Sequence, residues 1–382
     1  MKRRDFAKTI AWGAGALLAP GWLRAARETS LQMPSYLKGY ETLYAQNPRA
    51  AAVQWFREAK FGLFLHYGLY SLLERGEWVM LASKMPVADY ARLMDRFTAE
   101  KFDADFITDL ALAAEMKYLN ITTRHHDSFC LFRTKQTDFN SVNSPAKRDL
   151  VGELAEACRK KDLGLCLYYS HGRDWRHPHA PNNDRWGGQA RPKYPTPEPT
   201  YAVGADHNLQ KYLDFMTAQI TELLTQYGPI AAIWLDGVGV LHSRPDQIPE
   251  FKCQDLYDHI HTLQPQVLVS YKQGLLGTED FRAPEHKAVG NTTGKPMEIC
   301  STLQEGGNGG WGYSAKAKHL NADAVMRKLA TARGAQANLL INTGPLPDGS
   351  IHPEDVASLR EAGRRIRAQG FPEDKPGKAA PK

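Results

Sequence analysis

The stretch from Leu163 to Gly237 opens with LGLCLYYS (163–170), carries HNLQKYLDFMTAQITELLTQY (207–227) in its second half and ends with IAAIWLDG (230–237). The two outer runs are short and apolar without alternation, which is how a strand reads when both faces of its sheet are covered. The middle run has the 3.6-residue apolar period of an amphipathic helix. Strand, helix and strand in that order predict a βαβ unit with parallel strands. The same kind of strand recurs outward in both directions: FGLFLHYG (61–68), YLNITTRHH (118–126), VLVSYKQG (267–274), MEICSTL (297–303) and ANLLINTG (337–344). Amphipathic segments around 104–116, 149–161, 251–263 and 321–335 lie between several of them. Seven such strands predict an α/β fold, an irregular (β/α)8-like TIM barrel with one strand unrecognised. No G-x-G-x-x-G follows the first strand, so the fingerprint of an open dinucleotide-binding sheet is missing. Residues 171–199, rich in Pro, Gly, Asn, His and Trp, read as one long loop after the third strand.

The 382 residues carry 48 Lys+Arg against 42 Asp+Glu, a formal charge of +6, with 42% hydrophobic and 10% aromatic residues. That is the composition of a globular chain, without the long apolar runs of a membrane-spanning one. No block of five or six like charges occurs, which argues against a nucleic-acid partner. The five cysteines, Cys130, Cys158, Cys166, Cys253 and Cys300, are odd in number and lack CxxC spacing, so neither a disulfide framework nor a thiolate metal site is expected. At the N-terminus KRRDFAK (2–8) precedes a short Ala- and Gly-rich apolar stretch from Ile10 to Ala19. A basic segment followed by an apolar one too short to span a bilayer reads as an export signal, and the Arg3-Arg4 pair resembles the twin-arginine type. The expected division is an export signal at 1–28, a catalytic barrel at 29–370 and a flexible tail at 371–382, with the protein periplasmic or secreted and without a membrane anchor. Nothing in the sequence speaks to an oligomeric state.

In a barrel of this kind the reactive groups gather where strands end. Here the strands end in His66, in His125-His126-Asp127, in Tyr168-Tyr169, in Asp236 and in Lys272. Five polar or ionisable endings converging on one face predict an active site. Asp236 stands out because an apolar strand holds it while Gly237 lets the chain turn away behind it. Such a carboxylate can attack an anomeric carbon, bind a metal or cap the next helix. Neighbouring residues on a strand point to opposite faces, so His125-His126 is an awkward pair for a metal. A metal-dependent hydrolase would recruit His66, His125, His126 and Asp236 as ligands; against a glycan-binding barrel without activity stands the retained Asp236. A retaining glycosidase needs a second carboxyl group about 5–5.5 Å from the first. Glu279, Asp280 and Glu285 in TEDFRAPEHK and Glu298 in PMEIC are the candidates, and spacing does not choose among them. Trp78, Trp234 and Trp311 suit stacking on a sugar.

The runs FGLFLHYGLYS, GEWV, TTRHHDSFCLF, TDFNSVNSPAKRDLVGELAEACRK, YYS, WLDG and WGY, in this order over about residues 50–345, resemble glycoside hydrolase family 29, the retaining α-L-fucosidases. The resemblance implies an irregular (β/α) barrel that needs no metal or other cofactor and acts on a fucosylated glycan. It implies Asp236 as nucleophile, with His66, Glu77, Trp78, His125, His126, Tyr168, Trp234 and Lys272 around the sugar and Trp311 as an apolar wall. The proton donor varies in place among relatives. Glu285, about a dozen residues past Lys272, matches the donor loop, and Glu298 matches a signature Glu, so it stands as the alternative acid/base. Tyr67, Ser128 and Met297 depart from the residues usual in relatives. Many relatives carry a β-sandwich after the barrel, and the few residues past Gly344 lead us to expect none here.

The Arg pair makes the export reading testable. A twin-arginine route reads the planar forks of two arginines, whereas a general secretory route needs only positive charge. Replacing Arg3 and Arg4 with lysine is expected to leave the protein folded in the host cytoplasm, as read by cell fractionation. Arrival of the double-Lys variant in the periplasm at the wild-type rate would show an ordinary signal peptide.

Overall fold

The computed structural model describes residues 33–287, 293–306 and 310–372; the export segment 1–28 and residues 373–382 of the expected tail lie outside the described residues. All seven strands read from the sequence are present: β1 (Phe61–Leu65), β2 (Tyr118–Arg124), β3 (Gly164–Ser170), β4 (Ala232–Asp236), β5 (Leu268–Tyr271), β6 (Glu298–Thr302) and β7 (Asn338–Thr343). They form one parallel sheet in the order β5-β4-β3-β2-β1-β7-β6. The first and last strands in sequence lie side by side, Phe61 opposite Leu339 and Leu65 opposite Thr343.

The gap between β5 and β6 is filled by residues 280–286. Asp280 N–H donates to Val269 O and Ala283 N–H to Lys272 O on one side, while His286 N–H donates to Cys300 O and Cys300 N–H to Pro284 O on the other. Three isolated parallel bridges, Ser270 to Phe281, Arg282 to Met297 and Glu285 to Cys300, complete the ring. This segment is the eighth stave, and it carries Glu285. Its irregularity follows from Pro284, which has no N–H to give a ladder.

Helices α1 (Pro48–Ala59), α2 (Ala104–Ala113), α3 (Leu150–Lys160), α4 (Leu209–Gln226), α5 (Cys253–Leu263), α6 (Ala322–Gly334) and α7 (Pro353–Gln369) accompany the sheet. Five of them start on an Asn or Asp whose side chain accepts a backbone N–H of the first turn: Asn47, Asp103, Asp149, Asn208 and Asn321. Such caps occupy N–H groups that the helix itself cannot satisfy. Along the strands, residues alternate between two buried surfaces. Leu63, Leu119, Leu165, Leu167, Ile233, Val269, Leu339 and Ile341 pack outward in the main core with helix residues such as Ile107, Leu154, Ile220 and Ile260. Phe64, Tyr118, Cys166, Tyr168, Trp234, Cys300 and Leu340 fill the interior, joined by Leu37, Trp55 and Phe56. Double-sided burial is why the strands read as unbroken apolar runs.

The loops beyond β2 and β3 are fastened together by a fully buried ion pair between Arg124 and Asp174. Arg124 also donates to Ser170 O and to the Tyr212 hydroxyl. Asp174 accepts from Ser128 Oγ and from the backbone N–H groups of Arg176 and His177. Removing either member would leave a buried charge alone, a loss of about 3–5 kcal/mol. His125 and His126 follow Arg124 directly, so the pair holds the backbone from which they project.

Candidate active site

At the C-terminal ends of the strands a cavity of about 290 Å³ opens to solvent at one side. Phe64, His66, Glu77, Trp78, His125, His126, Tyr168, Trp234, Asp236, Lys272, Glu285 and Trp311 all line it. Every residue expected around a sugar is therefore brought together, apart from the alternative acid/base Glu298. His125 and His126 both face the cavity with ring centroids 4.2 Å apart, against the alternation expected of a strand. The reason is local: the register of β2 against β3 shifts between Thr122 and Arg124, and the strand ends before the pair.

Asp236 is 8% exposed. Its Oδ2 accepts the Tyr168 hydroxyl at 2.8 Å and its Oδ1 the Gly237 N–H at 2.6 Å, with Lys272 Nζ 3.6 Å from Oδ1. Burial alone would raise its pKa, yet Lys272, Arg173 and the two hydrogen bonds outweigh burial and bring it down to about 2. The group is charged at any working pH. Lys272, in a left-handed backbone conformation with φ +50°, also contacts Glu285 Oε1 and lies 5.0 Å from the Trp234 ring centroid. Burial disfavours its charge, but Asp236 and Glu285 hold its pKa well above that of an ordinary lysine. One ammonium therefore serves two carboxylates.

The histidines are neutral. His66, His125 and His126 are pushed below the ordinary imidazole range, burial being the chief cause. The tautomers of His66 and His126 follow from neighbours. Asn342 donates its amide to Trp311 O, so its oxygen accepts from His66 Nδ1 at 2.7 Å. Ser170 donates its hydroxyl to Arg173 O, so its oxygen accepts from His126 Nδ1 at 2.5 Å. Each Nε2 is left as a bare acceptor. His126 Nε2 lies 3.7 Å from Asp236 Oδ2, two acceptors that do not bond to each other and are both open to donors in the cavity. Glu77 accepts the Gly312 N–H at 2.8 Å, and burial pushes its pKa up to about 7. Among the described residues no group of three or more His, Cys, Asp or Glu side chains is arranged to hold a metal ion.

The remaining carboxylates lie elsewhere. Glu279 accepts the N–H groups of Leu275, Leu276 and Gly277 and holds that turn. Asp280 accepts the Val269 N–H. Glu298 is the first residue of β6, beneath the cavity, where it accepts the Trp234 indole N–H at 3.0 Å and the Tyr118 hydroxyl at 2.5 Å. It holds the tryptophan floor from below. Tyr169, neighbour of Tyr168, faces outward to Gln219. Tyr67, Ser128 and Met297 are buried off the cavity, Tyr67 against Phe97 and Phe102. Arg173, Phe64, Gln189, Val238, Gly239 and Gln273 line the cavity and were not read from the sequence. Arg173 follows the end of β3 by three residues, a placement hidden by reading 171–199 as undifferentiated loop.

A family model described as alpha-L-fucosidase matches residues 28–370. The chain is 27% identical over 344 residues to a putative alpha-L-fucosidase of Caenorhabditis elegans, covering 82% of this chain and 64% of that one. It is 26% identical over 384 residues to the plasma alpha-L-fucosidase of Rattus norvegicus, covering 93% and 76%. Among solved structures, alpha-L-fucosidase isoenzyme 1 from Paenibacillus thiaminolyticus superposes with a TM-score of 0.73 at 34% identity, covering 88% of this chain and 80% of that one. Alpha-L-fucosidase AlfC from Lactobacillus casei, in complex with its alpha-L-fucose product, gives 0.70 at 29% identity, covering 83% and 99%.

The position of Glu298 has a measurable signature. Burial raises its pKa from 4.5 to about 7 against the opposing hydrogen bonds from Tyr118 and Trp234. The folded state therefore holds the proton more tightly than the unfolded chain does. Its contribution to stability is full below pH ~4.5 and falls as the pH rises to ~7, by up to ~3 kcal/mol. Glu298→Gln mimics the protonated form and has no proton to lose. Urea unfolding at pH 5 and pH 8 is expected to show wild type losing about that amount relative to the variant. Parallel pH profiles for the two proteins would show that Glu298 does not titrate in this range.

Proposed function

The chain belongs to the alpha-L-fucosidase family, and from that premise we propose that it is an exo-acting retaining α-L-fucosidase that releases terminal L-fucose from glycans. The observation that carries this reading is the ammonium shared by two carboxylates. Lys272 Nζ touches Glu285 Oε1 and lies 3.6 Å from Asp236 Oδ1. The nearest oxygens of the pair therefore lie within about 6 Å of each other, which supports the close spacing of a retaining pair.

In this mechanism Asp236, held charged, attacks the anomeric carbon while Glu285 gives a proton to the leaving oxygen. A glycosyl ester on Asp236 results. Glu285 then takes a proton from water, which attacks the same carbon and frees the sugar with its configuration retained. The bare Nε2 atoms of His66 and His126 each accept a ring hydroxyl. A site built this way rejects sugars that lack those hydroxyls, because buried acceptors would be left unpaired. Trp234 and Trp311 supply the apolar walls. The Arg3-Arg4 segment supports the further proposal that this activity is exercised outside the cytoplasm.

Two experiments test the assignment. Asp236→Gly removes the attacking charge, so turnover of an aryl α-L-fucoside is expected to fall at least ~10³-fold, about 4 kcal/mol of barrier, with partial rescue by azide and release of β-fucosyl azide. Activity within tenfold of wild type would remove Asp236 from the role. For Glu285→Ala, a dinitrophenyl fucoside needs little protonation, so its first step is expected to be spared while substrates with poor leaving groups are crippled. The same dependence in Glu298→Ala instead would move the donor to β6.

A further inference from the structure

The cavity holds a second cation, which helps to keep Asp236 charged from a distance and to which the mechanism above gives no contact with substrate. Arg173 is 9% exposed and lines the cavity wall, and among the described residues no carboxylate lies within 4 Å of it, whereas Lys272 is engaged by both Asp236 and Glu285. Its guanidinium is held in place. Nη2 and Nε donate to Gly188 O at 2.7 and 3.3 Å, and the guanidinium carbon lies 5.2 Å from the centroid of the Trp78 ring.

The backbone around it is built for close approach. A Cβ on Gly188, at φ +60°, would stand 2.2 Å from Gly239 O, and one on Gly237, at φ +93°, would stand 2.7 Å from Gly172 Cα. Only glycine fits at both, so the loop after β3 lies directly on the loop after β4 with Arg173 clamped between them. Nη1 has no partner among the described residues, yet it is not one of the polar atoms sealed from solvent. It therefore remains accessible, on a side chain that lines the cavity.

The direction of the cavity matters. Phe64, His66 and Trp234 form a buried floor, whereas Gln189 and Gln273 are exposed and Glu285 is half-buried at the rim. A terminal sugar that enters floor-first leaves the rest of its glycan toward the rim, where Gly188, the anchor of Arg173, adjoins Gln189. We propose that Arg173 forms a leaving-group subsite which takes a substrate carrying an oxyanion, a carboxylate or a sulfate, on the group attached to fucose. This rests on the fucosidase reading. A guanidinium fixed on one edge and free on the other presents donors to such a group in a preset geometry, and the charge-assisted bond is stronger than one to a neutral acceptor.

The test compares para-carboxyphenyl and para-carbamoylphenyl α-L-fucosides as substrates. The neutral amide is the slightly better leaving group, so any preference for the carboxylate cannot come from leaving-group acidity. Wild type is expected to favour the carboxylate at least tenfold in kcat/KM. Arg173→Gln, which keeps a neutral donor, is expected to bring that ratio near one, and Arg173→Lys to restore part of it. A wild-type ratio near or below one, or a tenfold preference that survives in Arg173→Gln, would overturn the proposal. Hydrolysis of the carbamoyl compound by wild type at any rate reads the fucosidase activity separately, so a lost preference and a lost activity are told apart.

Discussion

A carboxylate that is buried and must stay charged sets the terms for the rest of this structure. Desolvation works against the charge on Asp236, and what opposes it comes from four different elements: Tyr168 from β3, Gly237 from the turn behind β4, Lys272 from the end of β5 and Arg173 from the loop after β3. Each donor is itself held by something further out. Tyr168 stacks on Trp234, Trp234 is tied to Glu298, and Lys272 sits in a backbone conformation that non-glycine residues enter at a cost. The barrel matters because it delivers all these strand ends to one place with little freedom to drift.

Much of this was legible in the sequence, and the reasons are specific. The seven strands declared themselves because both their faces are buried. The strand-end residues His66, Tyr168, Asp236 and Lys272 declared themselves because parallel strands in a barrel all finish on one face. The eighth stave did not: Phe281–Glu285 pairs through isolated bridges, contains a proline and carries no apolar run, so nothing in its pattern separates it from a loop. Counting layers would have demoted Glu298 early, since it opens β6 and so lies at the end of the barrel opposite the cavity.

The histidine pair shows where pattern reasoning errs in the other direction. Alternation says that adjacent residues diverge, but it holds only inside a regular ladder, and His125-His126 lies just past a register shift. Arg173 is a third case. A residue's use is set by what the chain around it packs against, and the glycines that let two loops meet at Arg173 are far apart in sequence.

The pairing of β1 with β7 has a consequence for how the molecule is made. Phe61 finds its partner at Leu339, so most of the chain must be synthesised before that edge can be covered. Until then β1 presents unpaired N–H and C=O groups on an apolar strand, a template for pairing with another chain. Such long-range closure is slow, because the entropy of a large loop is lost before the contact repays it. The growing polypeptide therefore carries an edge open to pairing with another chain for nearly the whole of translation, a window in which nascent chains can associate.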